Sequence, residues 1–99
     1  MTGDQPSLDL HHDPAARRFS TRLDGHDAEL LYSLRDSRMV IDHIGVPEAI
    51  GGRGVAATLV KAALDHARAQ GWRVVPACSY SAAYVQRHPE YADLIDARS

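Results

Sequence analysis

The chain has 99 residues, enough for one hydrophobic core, and its 44% hydrophobic and 24% charged residues are ordinary for a soluble globular protein. A formal net charge of −2, with basic and acidic residues interspersed, argues against nucleic acid or an anionic membrane as a partner. Cys78 is the only cysteine, which excludes an internal disulfide and makes a zinc site unexpected. Because no stretch has the basic start of a signal peptide or the ~20 apolar residues of a membrane span, we expect a cytoplasmic protein.

Residues 1–16 are predicted to form a flexible N-terminal arm, and residues 17–99 a single folded domain. The arm contains one glycine, two prolines and three aspartates, and only Leu8 and Leu10 could pack against a core. His11 and His12 are adjacent within it, and adjacent histidines in a polar terminal segment are more often solvated than bound to a metal. We therefore expect no metal site there.

Three strands are predicted in the first half of the domain. Residues 17–23 and 28–34 alternate between apolar and polar side chains, which is the period of a half-buried strand. Residues 38–46 are apolar on both faces except at Asp42 and His43, so this third strand is expected to be covered on both sides. Short Asp-Gly and Asp-Ser turn signals separate the three, which predicts an antiparallel meander.

A glycine-rich turn at residues 47–56 then leads into the only long amphipathic helix. Three glycines at a helix start expose backbone N–H groups, and the helix dipole favours an anion there. The turn therefore predicts a phosphate-bearing ligand, although a tight turn that merely needs positive φ is the alternative. A Walker-type nucleotide loop is excluded because no Gly-Lys-Ser/Thr follows. The helix is expected to end at Gln70 and Gly71.

The remaining elements complete an α/β (α+β) fold. A strand at residues 72–77 should lie parallel to the third strand after a right-handed crossover, and it should diverge near Pro76, which has no ladder donor. A short helix at residues 81–88 should stop before Pro89, with one or two further turns at residues 90–95. The expected architecture is a four-stranded mixed sheet, with a three-strand meander, one crossover helix, one parallel strand and short C-terminal helices.

Four motifs in this order resemble a known family. They are Asp-His-Ile-Gly-Val-Pro at 42–47, Gly-Arg-Gly-Val-Ala at 52–56, Val-Pro-Ala-Cys at 75–78, and Ala-Tyr-Val at 83–85 with His-Pro-Glu-Tyr at 88–91. The constellation resembles the core of the GCN5-related N-acetyltransferase (GNAT) superfamily. Within it, the chain is most similar to the small single-domain subfamily that includes the YjdJ-like predicted acetyltransferases. The resemblance covers residues 17–95.

The resemblance implies binding of acetyl-CoA, with the pyrophosphate on backbone N–H groups at the helix start and the pantetheine arm beside the third strand. The cofactor-binding residues that it implies are Ile44, Gly45, Val46, Gly51, Gly52, Arg53, Gly54, Val55 and Ala56. Two positions depart from the family pattern. Gly51 stands where Arg or Gln is usual, and Gly45 stands where relatives carry an acidic residue two positions after His43. Asp42 is expected to face away from His43, because side chains alternate across a strand.

Three side chains are candidates for catalysis, each with a structural alternative. Cys78 could carry an acetyl group or simply line and pack the site, because a thiol needs a nearby base or positive charge to become a good nucleophile. His43 could accept a proton or be a hydrogen-bonded core histidine. By resemblance, Tyr84 could protonate the departing CoA thiolate, or it could pack against the sheet.

The functional hypothesis is an acetyl-CoA-dependent N-acetyltransferase that acts on an unidentified amine, on a protein or a polyamine, bound in an open acceptor site. The alternative is a non-catalytic CoA- or acyl-CoA-binding or regulatory module, favoured by Gly45 and by the shortness of the chain. A third alternative is a structural interaction domain, which would not bind CoA.

Overall fold

The computed structural model describes residues 10–96. The strands are β1 (His11–Asp13), β2 (Arg18–Leu23), β3 (His26–Arg35), β4 (Arg38–Gly45) and β5 (Arg73–Pro76). The helices are a 3₁₀ turn (Glu48–Ile50), α1 (Val55–Gln70), α2 (Ser79–Arg87) and a second 3₁₀ segment (Pro89–Leu94). None of these helices is long and apolar enough to cross a membrane.

The five strands form one sheet in the order β1-β2-β3-β4-β5. The pairs β1–β2, β2–β3 and β3–β4 are antiparallel, and β5 is parallel to β4, which confirms the mixed α/β fold with its meander and crossover helix. The α1 helix connects the two parallel strands and ends at Gly71, whose φ is 76°. Left-handed glycine is a common end to a helix because it has no Cβ to clash.

Strand β1 corrects two predictions. The sheet has five strands rather than four, and residues His11–Asp13 form a strand within the segment that was predicted to be a flexible arm. Its central residue, His12, is half-buried: its ring stacks on Phe19 at 4.1 Å, and its Nε2 lies 2.6 Å from the Tyr32 hydroxyl. The ring also meets His66 of α1 edge-on at 4.4 Å. These contacts fix a polar segment that has no apolar alternation of its own. Residues 1–9 of the predicted arm lie outside the described part of the chain.

The core lies between α1 and one face of the sheet. The sheet contributes Phe19, Leu30, Tyr32, Met39 and Ile41, and α1 contributes Val55, Leu59, Val60, Ala63, Leu64 and Ala67. The α2 helix packs beside α1 and against β5. The described helices therefore leave the other face of the sheet open. The expectation that β4 is covered on both faces is wrong, because Asp42 and His43 are exposed on it and Val40 is half-exposed.

The pairing of β4 with β5 is short. It runs from Arg38 opposite Arg73 to Ile41 opposite Pro76 and then stops. The last contact is the Cys78 N–H, which donates to the Ile41 carbonyl at 3.2 Å before the chain enters α2. The divergence predicted at Pro76 is confirmed. Beyond it, β4 continues to Gly45 and, within residues 10–96, pairs with β3 alone.

Candidate functional site

The glycine turn has the conformation of an open backbone cradle. Gly52 and Gly54 have φ of 78° and 79°, and Gly54 is the residue that caps the start of α1. No side chain caps this helix start, and its first turn carries no acidic residue. Because the first N–H groups of a helix have no partner within it, these donors are available to an anion. A Cβ placed on either glycine would meet no atom within 4 Å, so the space in front of the turn is free.

Gly51 and Arg53 of the same turn already have hydrogen-bond partners within the protein. Gly51 has an extended backbone with φ of −64°, and its N–H donates to the Glu48 carbonyl at 3.0 Å. The Arg53 guanidinium donates to Asp24 Oδ2 at 2.9 Å, which ties the turn to the β2–β3 hairpin. Both side chains of this pair are half exposed or more, and such pairs contribute only about 0.2–1 kcal/mol. Arg53 can therefore be drawn from Asp24 to an anion bound at the turn.

The opening between β4 and β5 leads to this turn. After Ile41 and Pro76 the two strands separate, and the β4 edge from Asp42 to Gly45 no longer faces a paired strand. Ile44, Gly45 and Val46 are half-buried there, just before the 3₁₀ turn that leads to the glycines. An unpaired strand edge presents N–H and C=O groups that an extended ligand can satisfy. The backbone thus offers polar groups at two places, along this edge and at the start of α1.

A β-bulge in β4 sets the directions of Asp42 and His43. Leu31 pairs with His43 and Tyr32 with Ile41, so Asp42 is the extra residue. The bulge brings both side chains to the open face of the sheet, where Asp42 accepts a hydrogen bond from Ser33 Oγ. The expectation that Asp42 faces away from His43 is therefore wrong. His43 is exposed, which also removes the alternative of a core histidine.

Cys78 lies where the two strands separate, and it caps α2. Its Sγ accepts a hydrogen bond from the Ser81 N–H at 3.4 Å and lies 3.1 Å from Ser81 Oγ, which donates to the Cys78 carbonyl at 3.0 Å. Ser81 is fully buried. Cysteine is an uncommon residue at a helix N-cap, where Ser, Thr, Asp and Asn lead. The geometry thus gives this side chain a structural role as well as a position beside the opening.

Tyr84 belongs to the core. Its ring is 5% exposed, stacks on His88 at 3.9 Å, and lies 6.4 Å from Tyr91 of the second 3₁₀ segment. Burial raises the pKa of its phenol above the usual value, so it is protonated at neutral pH. Its hydroxyl has no hydrogen-bond partner within residues 10–96 and is not sealed from solvent. The proton-donor role predicted for Tyr84 stays a prediction.

A groove of about 730 Å³ crosses the open face of the sheet beside the end of β4. Its lining includes Arg18, Ser20, Arg22, Glu29 and Gly45. Sequence analysis missed Glu29 because alternation places it on the polar side of β3 but does not give the strand register. Only the register beyond the bulge, which places Glu29 opposite Gly45, brings this carboxylate to the site.

A two-layer domain that opens its parallel strand pair in front of a glycine turn has the architecture expected of an N-acetyltransferase fold. Comparisons with known proteins agree. A model of a family described as GCN5-related N-acetyl-transferase matches residues 18–94. The chain therefore belongs to the GCN5-related N-acetyltransferase family, as the sequence motifs predicted.

Relatives in animals and a solved bacterial structure are similar to this chain. Protein NATD1 of Mus musculus is 42% identical over 83 residues, which cover 81% of this chain and 76% of the relative. Protein NATD1 of Homo sapiens is 41% identical over 83 residues, which cover 81% and 74%. The NMR solution structure of a GCN5-like protein from Staphylococcus aureus matches with a TM-score of 0.73 at 27% identity, covering 93% of this chain and 91% of that chain.

Proposed function

We propose that this protein binds acetyl-CoA between β4 and β5 and transfers the acetyl group to an amine. The observation that carries the proposal is the end of strand pairing at Ile41 and Pro76, beside an uncapped helix start with two left-handed glycines. A thioester carrier with a long polar arm and a pyrophosphate matches these two features together. Neither an isolated glycine turn nor an isolated strand edge would favour this ligand over others.

The chain's own groups fit the two halves of the ligand. N–H groups of residues 52–56 would hold the pyrophosphate, because the first N–H groups of α1 have no partner within the helix and no side chain caps them. Arg53 adds a positive charge, and Gly51 supplies backbone alone where Arg or Gln is usual in the family. The β4 edge at Ile44, Gly45 and Val46 would pair with the amides of the pantetheine arm.

Bound acetyl-CoA supplies an acetyl group already activated as a thioester. Backbone N–H groups at Ile44 to Val46 would polarise its carbonyl, and the two strands would orient it. The amine nitrogen forms the new bond to the carbonyl carbon while the carbon–sulfur bond breaks. His43 would receive the proton that the amine loses, and Tyr84, protonated at neutral pH, would supply one to the thiolate.

A route through an acetylated Cys78 is the variant of this scheme, and two substitutions separate the routes. In direct transfer, Cys78→Ser and Cys78→Ala both keep turnover. Serine preserves the cap of α2, whereas alanine removes it and should lower the free energy of unfolding by about 0.5–2 kcal/mol. If transfer passes through Cys78, the alanine variant would lose turnover, and mass spectrometry would detect an acetylated Cys78 in the protein without substitutions.

A second candidate function is a CoA-binding module without transferase activity. Gly45 favours it, because the family resemblance leads us to expect an acidic side chain two residues after His43 and this chain has a glycine there. The open sheet face favours it as well, because no described helix walls an acceptor site. This module would bind acetyl-CoA in the same place but would release no free CoA in the presence of amines.

Thermal unfolding with acetyl-CoA and CoA tests the proposal. Ligand at 100 times its dissociation constant stabilises a fold by ~2.7 kcal/mol, which for a domain of this size raises Tm by about 10–20 °C. Adenosine 3′,5′-bisphosphate, which lacks the pantetheine arm and one phosphate of the pyrophosphate, is the control and should have a much smaller effect. No shift at millimolar acetyl-CoA would contradict binding. Release of free CoA thiol with an amine then separates the enzyme from the binding module.

A further inference from the structure

The groove on the open face of the sheet lies apart from the glycine turn, and it shares Gly45 and Val46 with the strand edge beside the opening. It begins at Gly45, Val46 and Pro47 and extends across β3 and β2 to His11 of β1. Its inner end therefore touches the same stretch of β4 that borders the opening. A molecule in this groove would approach β4 from the uncovered side of the sheet, away from α1.

Glu29 lines the inner end of the groove, and His43 lies next to this end on the same face of the sheet. Glu29 is directly opposite Gly45 in the β3–β4 register. A Cβ built on Gly45 would lie 3.1 Å from His43 Nε2 and 3.8 Å from Glu29 Cγ. The imidazole therefore lies over Gly45 and fills the place that a side chain would take, with the Glu29 side chain beside it across the strand pair. An acid beside an imidazole has the chemistry to bind a protonated nitrogen and to take up its proton.

The charges of the groove indicate which nitrogen compound fits. Glu29 has no hydrogen-bond or ion-pair partner within residues 10–96, whereas Asp27 is paired with Arg22 at 3.9 Å. The lining carries two arginines and two carboxylates, Arg18 and Arg22 against Asp27 and Glu29, so it is balanced in charge. A balanced lining gives a polycation no general attraction, but a single ammonium can replace water at the one free carboxylate.

We propose that this groove is the acceptor site and that Glu29 binds the ammonium group of an acceptor with one primary amine, of the lysine side-chain type. The carboxylate holds the amine beside His43 Nε2, the group to which the amine passes its proton. The transfer itself rests on the proposed function, but the binding of the amine does not. The groove therefore distinguishes a lysine-like acceptor from a polyamine.

Titration of the ¹⁵N-labelled protein with N-α-acetyl-lysine methylamide, in the absence of CoA, tests the site. Its matched control is N-α-acetyl-norleucine methylamide, which has the same shape without the ammonium. We expect saturable shifts of the Glu29 and Gly45 amides with the lysine compound only. Shifts of equal size with both compounds, no saturable shift at millimolar concentration, or much tighter binding of spermidine would each overturn the proposal.

Glu29→Gln keeps the shape of the side chain and removes its charge, and Glu90→Gln makes the same change on the exposed second 3₁₀ segment. Because an ion pair in an open groove contributes up to about 1 kcal/mol, Glu29→Gln should weaken amine binding by up to about fivefold. Glu90→Gln should leave it unchanged, and both variants should keep the acetyl-CoA affinity. Unchanged amine binding in Glu29→Gln refutes the role of Glu29. If the protein without substitutions does not bind acetyl-CoA, the proposed function is refuted instead.

Discussion

The two glycines at the ends of α1 offer a controlled test of the anion cradle. Gly54 at the start and Gly71 at the end have φ of 79° and 76°, and a Cβ on either would meet no atom within 4 Å. Alanine at either position would have to adopt the same left-handed backbone, and its methyl group would clash with no neighbouring atom. Gly54→Ala and Gly71→Ala should therefore have similar effects on folding but different effects on ligand binding.

The stability effect follows from the backbone conformation. A left-handed residue with a side chain costs about 1–2 kcal/mol, and the gain from a stiffer unfolded chain offsets about 0.4–1 kcal/mol. A net loss of about 1 kcal/mol should lower Tm by roughly 4–8 °C in each variant. Thermal unfolding by circular dichroism, at the same protein concentration and buffer, provides this measurement.

The binding effect should occur in Gly54→Ala alone. Its new methyl group would stand in the free space where an anion approaches the exposed N–H groups, and one lost charge-assisted hydrogen bond corresponds to about tenfold or more in affinity. Isothermal titration with CoA should show this loss, with less than a twofold change for Gly71→Ala. Equal affinities in the two variants would refute the claim that the glycine turn binds the pyrophosphate.

Three further outcomes follow from individual contacts. Thr21 Oγ1 is buried without a hydrogen-bond partner among residues 10–96, so Thr21→Val should raise the free energy of unfolding by about 1 kcal/mol in urea titration. A lower free energy of unfolding in the variant would show that the hydroxyl has a hydrogen-bond partner. Burial, followed by the charge of His66, lowers the pKa of His12 below 6.5, so the unfolded chain takes up the proton first as pH falls. Stability should thus be full above about pH 6.5 and decline below it, by at most about 1.4 kcal/mol per pH unit, and His12→Gln should flatten this dependence; an unchanged slope in the variant would contradict it. Arg53→Ala should weaken CoA binding several-fold, whereas Asp24→Asn, which frees Arg53 and suits the φ of 51° at this position, should not weaken it; the reverse order by calorimetry would contradict a role for Arg53.

Local patterns were sufficient to predict most of the architecture. The alternation in β2 and β3, the helical spacing in α1 and the glycines at its two ends each depend on neighbours in the chain, and these elements form as expected. The divergence at Pro76 was predictable for the same reason, because proline lacks the N–H that a ladder requires. The order of these elements, together with the family motifs, assigned them to one known fold.

The features that sequence could not supply depend on contacts between distant residues. The strand at His11–Asp13 is polar and short. It is fixed through His12 by Phe19 on the neighbouring strand and by Tyr32 and His66, which lie farther along the chain. The bulge at Asp42 adds one residue to β4 and so reverses the side-chain directions that simple alternation predicts. The same bulge sets the register that brings Glu29 to Gly45.

The central claim is that CoA lies along the free edge of β4 with its pyrophosphate on the glycine turn. Chemical-shift mapping of the ¹⁵N-labelled protein during titration with CoA tests it most directly, because it locates the ligand residue by residue. The account predicts saturable shifts concentrated in the amides of Ile44, Gly45 and Val46 and of residues 52–57. No saturable shift at millimolar CoA, or shifts confined to α2 and the second 3₁₀ segment, would contradict it.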